Sequence, residues 1–285
     1  MNTISTGERL EFFDFSDVTV EHLHRYAIAN EFVKNKKVLD IASGEGYGSF
    51  LLSKEANSVI GVDIDKETIE NSNNKYKNSK LTFLEGSADN IPVGSNSMDI
   101  VISFETIEHH NKHEEMFAEI KRVLKPNGIL IMSSPDKKYY SDKPGFKNKF
   151  HVKELYFEEF KFLTQKYFKN SFFYFQKAYN LNSYISDLSI FENMIIYSGN
   201  FNEIIKNTNE PLYNIVIASD NQIIKIQSSI FNGINIKDLI LKKIINKIKN
   251  ENIELIKNTN SYKFGNILIK PFFYFKKIFK FFNFN

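Results

Sequence analysis

Residues Val38 to Leu52 read VLDIASGEGYGSFLL. An apolar run ends at Asp40, glycines follow at Gly44, Gly46 and Gly48, and a second apolar run opens behind them. This is a buried strand turning into a helix through a loop whose glycines let main-chain amides approach a ligand closely. A second strand ends in GVDID, residues 61–65, and Asp63 lies 19 residues past Gly44. An acidic side chain at that distance can accept hydrogen bonds from both hydroxyls of a ribose. Three details separate the pattern from a dinucleotide-binding loop. The spacing is G-x-G-x-G and not G-x-G-x-x-G, Asp40 stands where it can meet an ammonium or a nearby water, and Ala88-Asp89 follows a third strand.

Outward from this loop, short apolar runs alternate with charged segments of helical period, which predicts βαβ units and a parallel sheet. Strands are expected at 37–41, 58–62, 81–85, 98–103 and 128–133, with helices at 48–54, 66–76 and 112–124; Lys125-Pro126-Asn127-Gly128 stops the last helix. Beyond Pro135 the reading is an aromatic loop to about residue 150, a helix over 152–167, a strand over 171–178, an insertion of about thirty residues suited to a lid, and a final strand over 212–218.

Composition narrows the class. With no cysteine among 285 residues, a disulfide framework, a thiolate metal site and a cysteine nucleophile are excluded, and a reducing cytoplasm fits. The N-terminal fifteen residues show no basic segment followed by an apolar run, and no stretch reaches the roughly 18 apolar residues of a membrane span. The net charge of +3 hides an asymmetry, since residues 221–285 hold 12 Lys against Asp238, Glu251 and Glu254, so the body is acidic and the tail basic. Two regions follow: a catalytic-type domain over 1–220 and a helical, basic, aromatic-rich extension over 221–285.

The four segments DIASGEGYG, GVDID, EGSADNIP and DIVISFETIEHH together resemble the motifs of class I S-adenosylmethionine-dependent methyltransferases over roughly residues 22–135. The resemblance implies a Rossmann-like α/β fold, a seven-stranded mostly parallel sheet flanked by helices. It also implies S-adenosyl-L-methionine as cofactor, with Asp40, Ser43, Gly44 and Gly46 around its methionine part, Asp63 and Ile64 at the ribose and adenine, Ala88 and Asp89 at the adenine amine, and Phe104 near the sulfonium. Upstream, Arg25 and Tyr26 in EHLHRY resemble a helix of methyltransferases from bacterial surface-sugar pathways. Arg25 there could clamp the cofactor carboxylate through a bidentate pair, or could simply pack and pair on the domain surface.

Methyl transfer is an in-line displacement, so positioning dominates and a base is needed only where the acceptor loses a proton. If Glu105-Thr-Ile-Glu108-His109 turns helical, Glu105, Glu108 and His109 share a face. Such a set resembles the metal site of some O-methyltransferases and could hold a divalent cation, yet the preferred reading gives His109 a base or hydrogen-bonding role and leaves the metal open. The segment from Ser133 to Phe160 resembles methyltransferases encoded beside bacterial glycosyltransferases, which makes His151 a second candidate base and Tyr139 and Tyr140 lining residues; alternatively His151 caps a helix at Val152. His22, His24 and His113 read as solvated.

The tail places Phe272, Phe275, Phe279 and Phe282 near one side of a hypothetical helix and Lys276, Lys277 and Lys280 on another. Such a segment could meet an anionic membrane or a glycan-assembly partner, or pack on its own domain or a second copy. Nucleic acid is the disfavoured partner, because arginine occurs only at Arg9, Arg25 and Arg122. The expectation is a cytoplasmic enzyme, or one at the inner membrane face, that methylates a sugar hydroxyl or phosphate-type group of a capsular or other cell-surface polysaccharide precursor. The open alternatives are a phenolic O-methyltransferase, an amino-sugar N-methyltransferase and a non-catalytic, membrane-docked scaffold.

Overall fold

The computed structural model describes residues 16–264. Strand β1 (Lys37–Ile41) is buried from Val38 onward on both faces, which is why it reads as a near-continuous apolar run and sits centrally. It pairs in parallel with β2 (Ser58–Asp63) on one side and β4 (Met98–Ser103) on the other. β3 (Leu81–Glu85) extends the sheet beyond β2, and β5 (Leu124–Pro135) lies beside β4, all in parallel. Successive side chains along each strand fall into two apolar layers: Val38, Ile100, Ile102 and Ile131 join one, and Leu39, Val101, Leu130 and Met132 the other.

Helices supply the outer layers. α1 (Asp17–Asn30), α2 (Tyr47–Leu52) and α3 (Lys66–Lys75) precede α4 (His113–Val123) and α5 (Phe157–Tyr167). Asp65 caps α3 by accepting the Thr68 N–H at 2.8 Å. The expected helix over 152–167 starts only at Phe157, so His151 lies in the preceding loop and caps nothing there.

From β5 the sheet turns antiparallel through β10 (Tyr213–Ser219) and β6 (Asn170–Tyr179), as the final two expected strands require. It does not stop at seven. β6 turns back into β7 (Asn182–Ser186) through Asn180 and Leu181, both at positive φ, and β11 (Ser229–Asn232) pairs with β7. Among the described residues nine strands result, in the order β11-β7-β6-β10-β5-β4-β1-β2-β3. The stretch expected as a lid instead carries β7, helix α6 (Leu188–Asn193) and a separate hairpin of β8 (Ile195–Gly199) and β9 (Ile204–Thr208).

The chain divides into two compact units at Ile234 and Asn235, past the break expected at residue 220, since β11 belongs to the sheet. The second unit holds most of helix α7 (Ile234–Asn258), of which no residue is buried. The tail phenylalanines from Phe272 and Lys276, Lys277 and Lys280 lie outside the described residues. Among the described residues no helix is long and apolar enough to cross a membrane.

One polar knot sits inside the first layer. Asp40, 1% exposed at the end of β1, accepts hydrogen bonds from Ser49 Oγ at 2.6 Å and from the Tyr26 hydroxyl at 3.2 Å. The Tyr26 ring is wedged edge-on against Phe104 and Tyr47. Gly48 passes so close that a Cβ there would lie 1.9 Å from Tyr26 Cζ. Because the ring is pinned at both its hydroxyl and its faces, it cannot swing clear. Gly48→Ala is therefore expected to destabilise the protein by about 1–3 kcal/mol, read as a lower urea midpoint.

Burial pushes the Asp40 carboxyl up to about 7, against the hydroxyl bonds that favour its ionised form. Between about pH 4 and pH 7 the unfolded chain has lost this proton while the folded protein still holds it, so stability contributed here falls as pH rises through that window. Asp40→Asn keeps an acceptor for both hydroxyls and removes the titration. The stability of wild type relative to the variant should decline by an amount on the order of 3 kcal/mol from pH 4 to 7.5. Parallel pH profiles for the two proteins would show that the carboxylate is already ionised when folded.

Candidate active site

The loops at the carboxyl ends of β1, β2, β3 and β4 open into one cleft of about 680 Å³. This is where an open parallel sheet places its ligands. Ser43 and Gly44 after β1, Asp63 and Ile64 after β2, Ala88 and Asp89 after β3, and Phe104 after β4 all line it, together with Tyr26 from α1.

At the first loop the chain runs through positive φ at Ala42 (55°), Gly44 (51°) and Gly46 (74°). The turn directs the Gly44 amide to Asp63 Oδ2 at 2.9 Å, while Asp63 Oδ1 accepts from the Asp65 amide at 3.0 Å. A Cβ on Gly44 would meet nothing within 4 Å, so its backbone faces open space. Ser43 Oγ is buried without a protein partner among the described residues. An open glycine backbone, an orphan hydroxyl and a carboxylate at a strand end, with Ile64 73% exposed beside it, fit a nucleoside with a polar extension. Asp89 has partners of its own: Lys112 and Ser87 hydrogen-bond its carboxylate and hold it down at about 2.

Three expected contacts fall one layer beneath the cleft. Asp40 is closed off by Ser49 and Tyr26, and Gly46 packs where a Cβ would strike the Phe83 ring at 2.5 Å. Arg25 is 1% exposed and bonds Glu105 Oε1 at 2.6 Å and Ser133 Oγ at 3.1 Å, with its guanidinium 4.7 Å from the Tyr213 ring centre. Its Nε and Nη2 are buried without partners among the described residues. None of the three lines the cleft; they shape the walls that do.

Instead of continuing into a helix, Glu105 takes φ +52° and turns toward Arg25 and Ser133, and only Ile107–His109 forms a short 3-10 turn. Glu105 thus leaves the face it was expected to share with Glu108 and His109. His151 takes the place, its ring centre 5.1 Å from that of His109, with Tyr140 stacked on it at 5.2 Å. Glu108, His109 and His151 each offer a ligand atom within 4.8 Å of the others, and all three line the cleft.

The orientation of both rings is set from behind. His109 Nδ1 donates to the Phe150 carbonyl at 3.2 Å, and His151 Nδ1 donates to Glu154 Oε1 at 2.6 Å, the tautomers being those that satisfy these partners. His151 Nε2 accepts from Asn148 Nδ2 at 2.9 Å. Burial, reinforced by nearby Glu105, pushes the Glu108 carboxyl well above the usual carboxylate range.

Other histidines differ from expectation. His24 is buried between Ser183 and Ser229, which drives it down to about 4, His113 is buried, and His22 lines the cleft. Tyr140 lines the cleft as expected but Tyr139 does not. Tyr47, Asn148 and Tyr213 are lining residues that pattern did not single out; only Tyr47, inside the glycine loop, carried a positional signal.

Residues 39–132 match a family model described as a methyltransferase domain. A probable S-adenosylmethionine-dependent methyltransferase of Mycolicibacterium smegmatis is 33% identical over 42% of this chain and 46% of its own length. A phthiotriol/phenolphthiotriol dimycocerosates methyltransferase of Mycobacterium ulcerans is 30% identical over 38% of this chain and 40% of its own. The chain therefore spans less than half the length of these curated relatives. Among solved structures, the YcgJ protein of Bacillus subtilis superposes with a TM-score of 0.50 at 18% identity, covering 70% of this chain and all of that one. A methyltransferase of Thermotoga maritima gives 0.51 at 17% identity over 72% and 91%. The strand order and these superpositions show that the chain has the fold of these proteins, and its residues 39–132 are similar to methyltransferase domains.

Proposed function

We propose that this chain is an O-methyltransferase that acts on a sugar hydroxyl of a cell-surface polysaccharide precursor. The observation that carries the reading is that one cleft is lined both by Gly44 and Asp63, which suit a nucleoside, and by the titratable side chains Glu108, His109 and His151. S-adenosylmethionine, when bound, supplies an electrophilic methyl on a sulfonium.

The protein's own work is then positional and acid–base. Asp63 accepts from the ribose hydroxyls, Gly44 lets the main chain lie against the cofactor, and Phe104 walls off water beside Tyr26. A hydroxyl that becomes an ether must lose its proton, and the clustered imidazoles are its nearest acceptors. A phosphate-type oxygen would need no such acceptor, so the clustered proton-handling groups favour the hydroxyl within the expected acceptor class. A second reading, in which the hydroxyl belongs to a lipid, draws support from the name of the Mycobacterium ulcerans relative. The proposal places the enzyme in the cytoplasm or at the inner membrane face, in keeping with a cysteine-free chain.

Incubation with labelled S-adenosylmethionine and a fractionated extract, followed by mass spectrometry, should yield a methylated nucleotide sugar or glycan fragment. A methylated lipid would promote the second reading, and product on a phenol or an RNA, or no product, would overturn the first. His151→Ala should lower kcat by about 10² to 10⁴ with the cofactor KM little changed. Asp63→Ala should weaken cofactor binding by about 1–3 kcal/mol, the loss of charge-assisted hydrogen bonds; an unaltered Kd would mean that the ribose lies elsewhere.

A further inference from the structure

The geometry points to a binding site for one divalent transition-metal ion formed by Glu108, His109 and His151. Their ligand atoms lie within 4.8 Å of one another. Tetrahedral bonds of about 2.0–2.2 Å to one ion would set such atoms roughly 3.3–3.6 Å apart, so the cluster needs to contract by about 1 Å at most.

Three further observations favour an ion over a plain hydrogen-bonded cluster. Both rings are fixed through Nδ1, one by a backbone carbonyl and one by the Glu154 carboxylate, which is how a metal-bound histidine is oriented from behind. Both therefore present Nε2 as the ligating atom, and His109 Nε2 already faces Glu108 Oε1 at 3.8 Å. Glu108 is 1% exposed, and its Oε2 is buried without a partner among the described residues. A buried carboxylate oxygen with no donor is costly, and a cation between it and the imidazoles removes that cost.

The backbone holds the set in register. The Glu108 carbonyl accepts from the amides of Val152 at 2.8 Å and Lys153 at 3.0 Å, so the loop bearing His151 is tied to the turn bearing Glu108 and His109. His151 Nε2 now accepts from Asn148 Nδ2; an ion takes that lone pair and the amide turns aside. Glu105, which spacing alone would have enlisted, is held by Arg25 and stays out. Two imidazole nitrogens and one carboxylate suit zinc or manganese, with coordination positions left open toward the cleft. There the ion would lower the pKa of an acceptor hydroxyl, and the imidazoles, their Nε2 lone pairs taken by the ion, would serve as its ligands in place of a base role. That last step rests on the proposed function; ion binding does not.

The test is calorimetric titration of the EDTA-stripped full chain with zinc chloride and with manganese chloride, with circular dichroism and S-adenosylhomocysteine binding as controls of folding. One ion per chain is expected. Glu108→Gln and His151→Ala should each weaken binding at least 100-fold, and Glu154→Gln, which only orients His151, by about 10- to 100-fold. Asn148→Ala, which frees Nε2, should bind as tightly as wild type or tighter. No binding of either ion, or binding indifferent to Glu108→Gln and His151→Ala, overturns the site. If the Glu108 variant fails to fold, the Asn148 and Glu154 variants still decide, because loss in the former or indifference in the latter contradicts the geometry. Ion binding without methyl transfer on any acceptor would overturn the functional reading and leave the site standing.

Discussion

The hydrogen bond from the Gly44 amide to the Asp63 carboxylate ties together the ends of two adjacent parallel strands, and the cleft is organised around it. It forms only because the chain after β1 turns three times through positive φ within five residues. Gly44 and Gly46 make two of those turns at little steric cost, and Ala42 makes the third under constraint from its neighbours. With the loop so bent, the main chain lies open at Gly44 while Gly46 seats against Phe83. One glycine gives the ligand room, and the other gives the core room.

A second dependency runs through Arg25. A fully buried guanidinium is tolerable only with a charged partner, and Glu105 provides it at 2.6 Å. The pairing goes with the positive φ of Glu105 after β4, and beyond that turn Glu108 and His109 face the loop that carries His151. Arg25 thus acts on the cleft without lining it. Its unused Nε and Nη2 mark the place where the wall has spare hydrogen-bonding capacity.

What could be read from the residues divides along physical lines. β1 and β4 were legible to the residue because strands buried on both faces are largely apolar, β3 because its buried Leu81 and Phe83 alternate with exposed positions at the sheet edge, and the glycine loop because few residue types tolerate its dihedrals. The direction of Glu105 was not, since local spacing favours a helical turn and a long-range ion pair to α1 overrides it. His109 and His151 were each noticed, but their meeting depends on two backbone bonds across more than forty residues, for which no local pattern exists. The two extra strands were missed for a related reason. β11 has only four residues, and its exposed and half-buried positions look like tail.

That short strand also governs what the molecule can do with its own edge. A sheet that ends on a long flat strand offers a row of unpaired amides and carbonyls to any chain that passes. Here β11 stops at Asn232, and at Gly233 the chain comes so close to the Leu181 carbonyl that a Cβ would sit 1.8 Å from it. The path leaves the sheet at once. A visiting strand would find a template of four residues, too short to hold it, so the nine-stranded sheet closes this edge to strand addition by brevity alone.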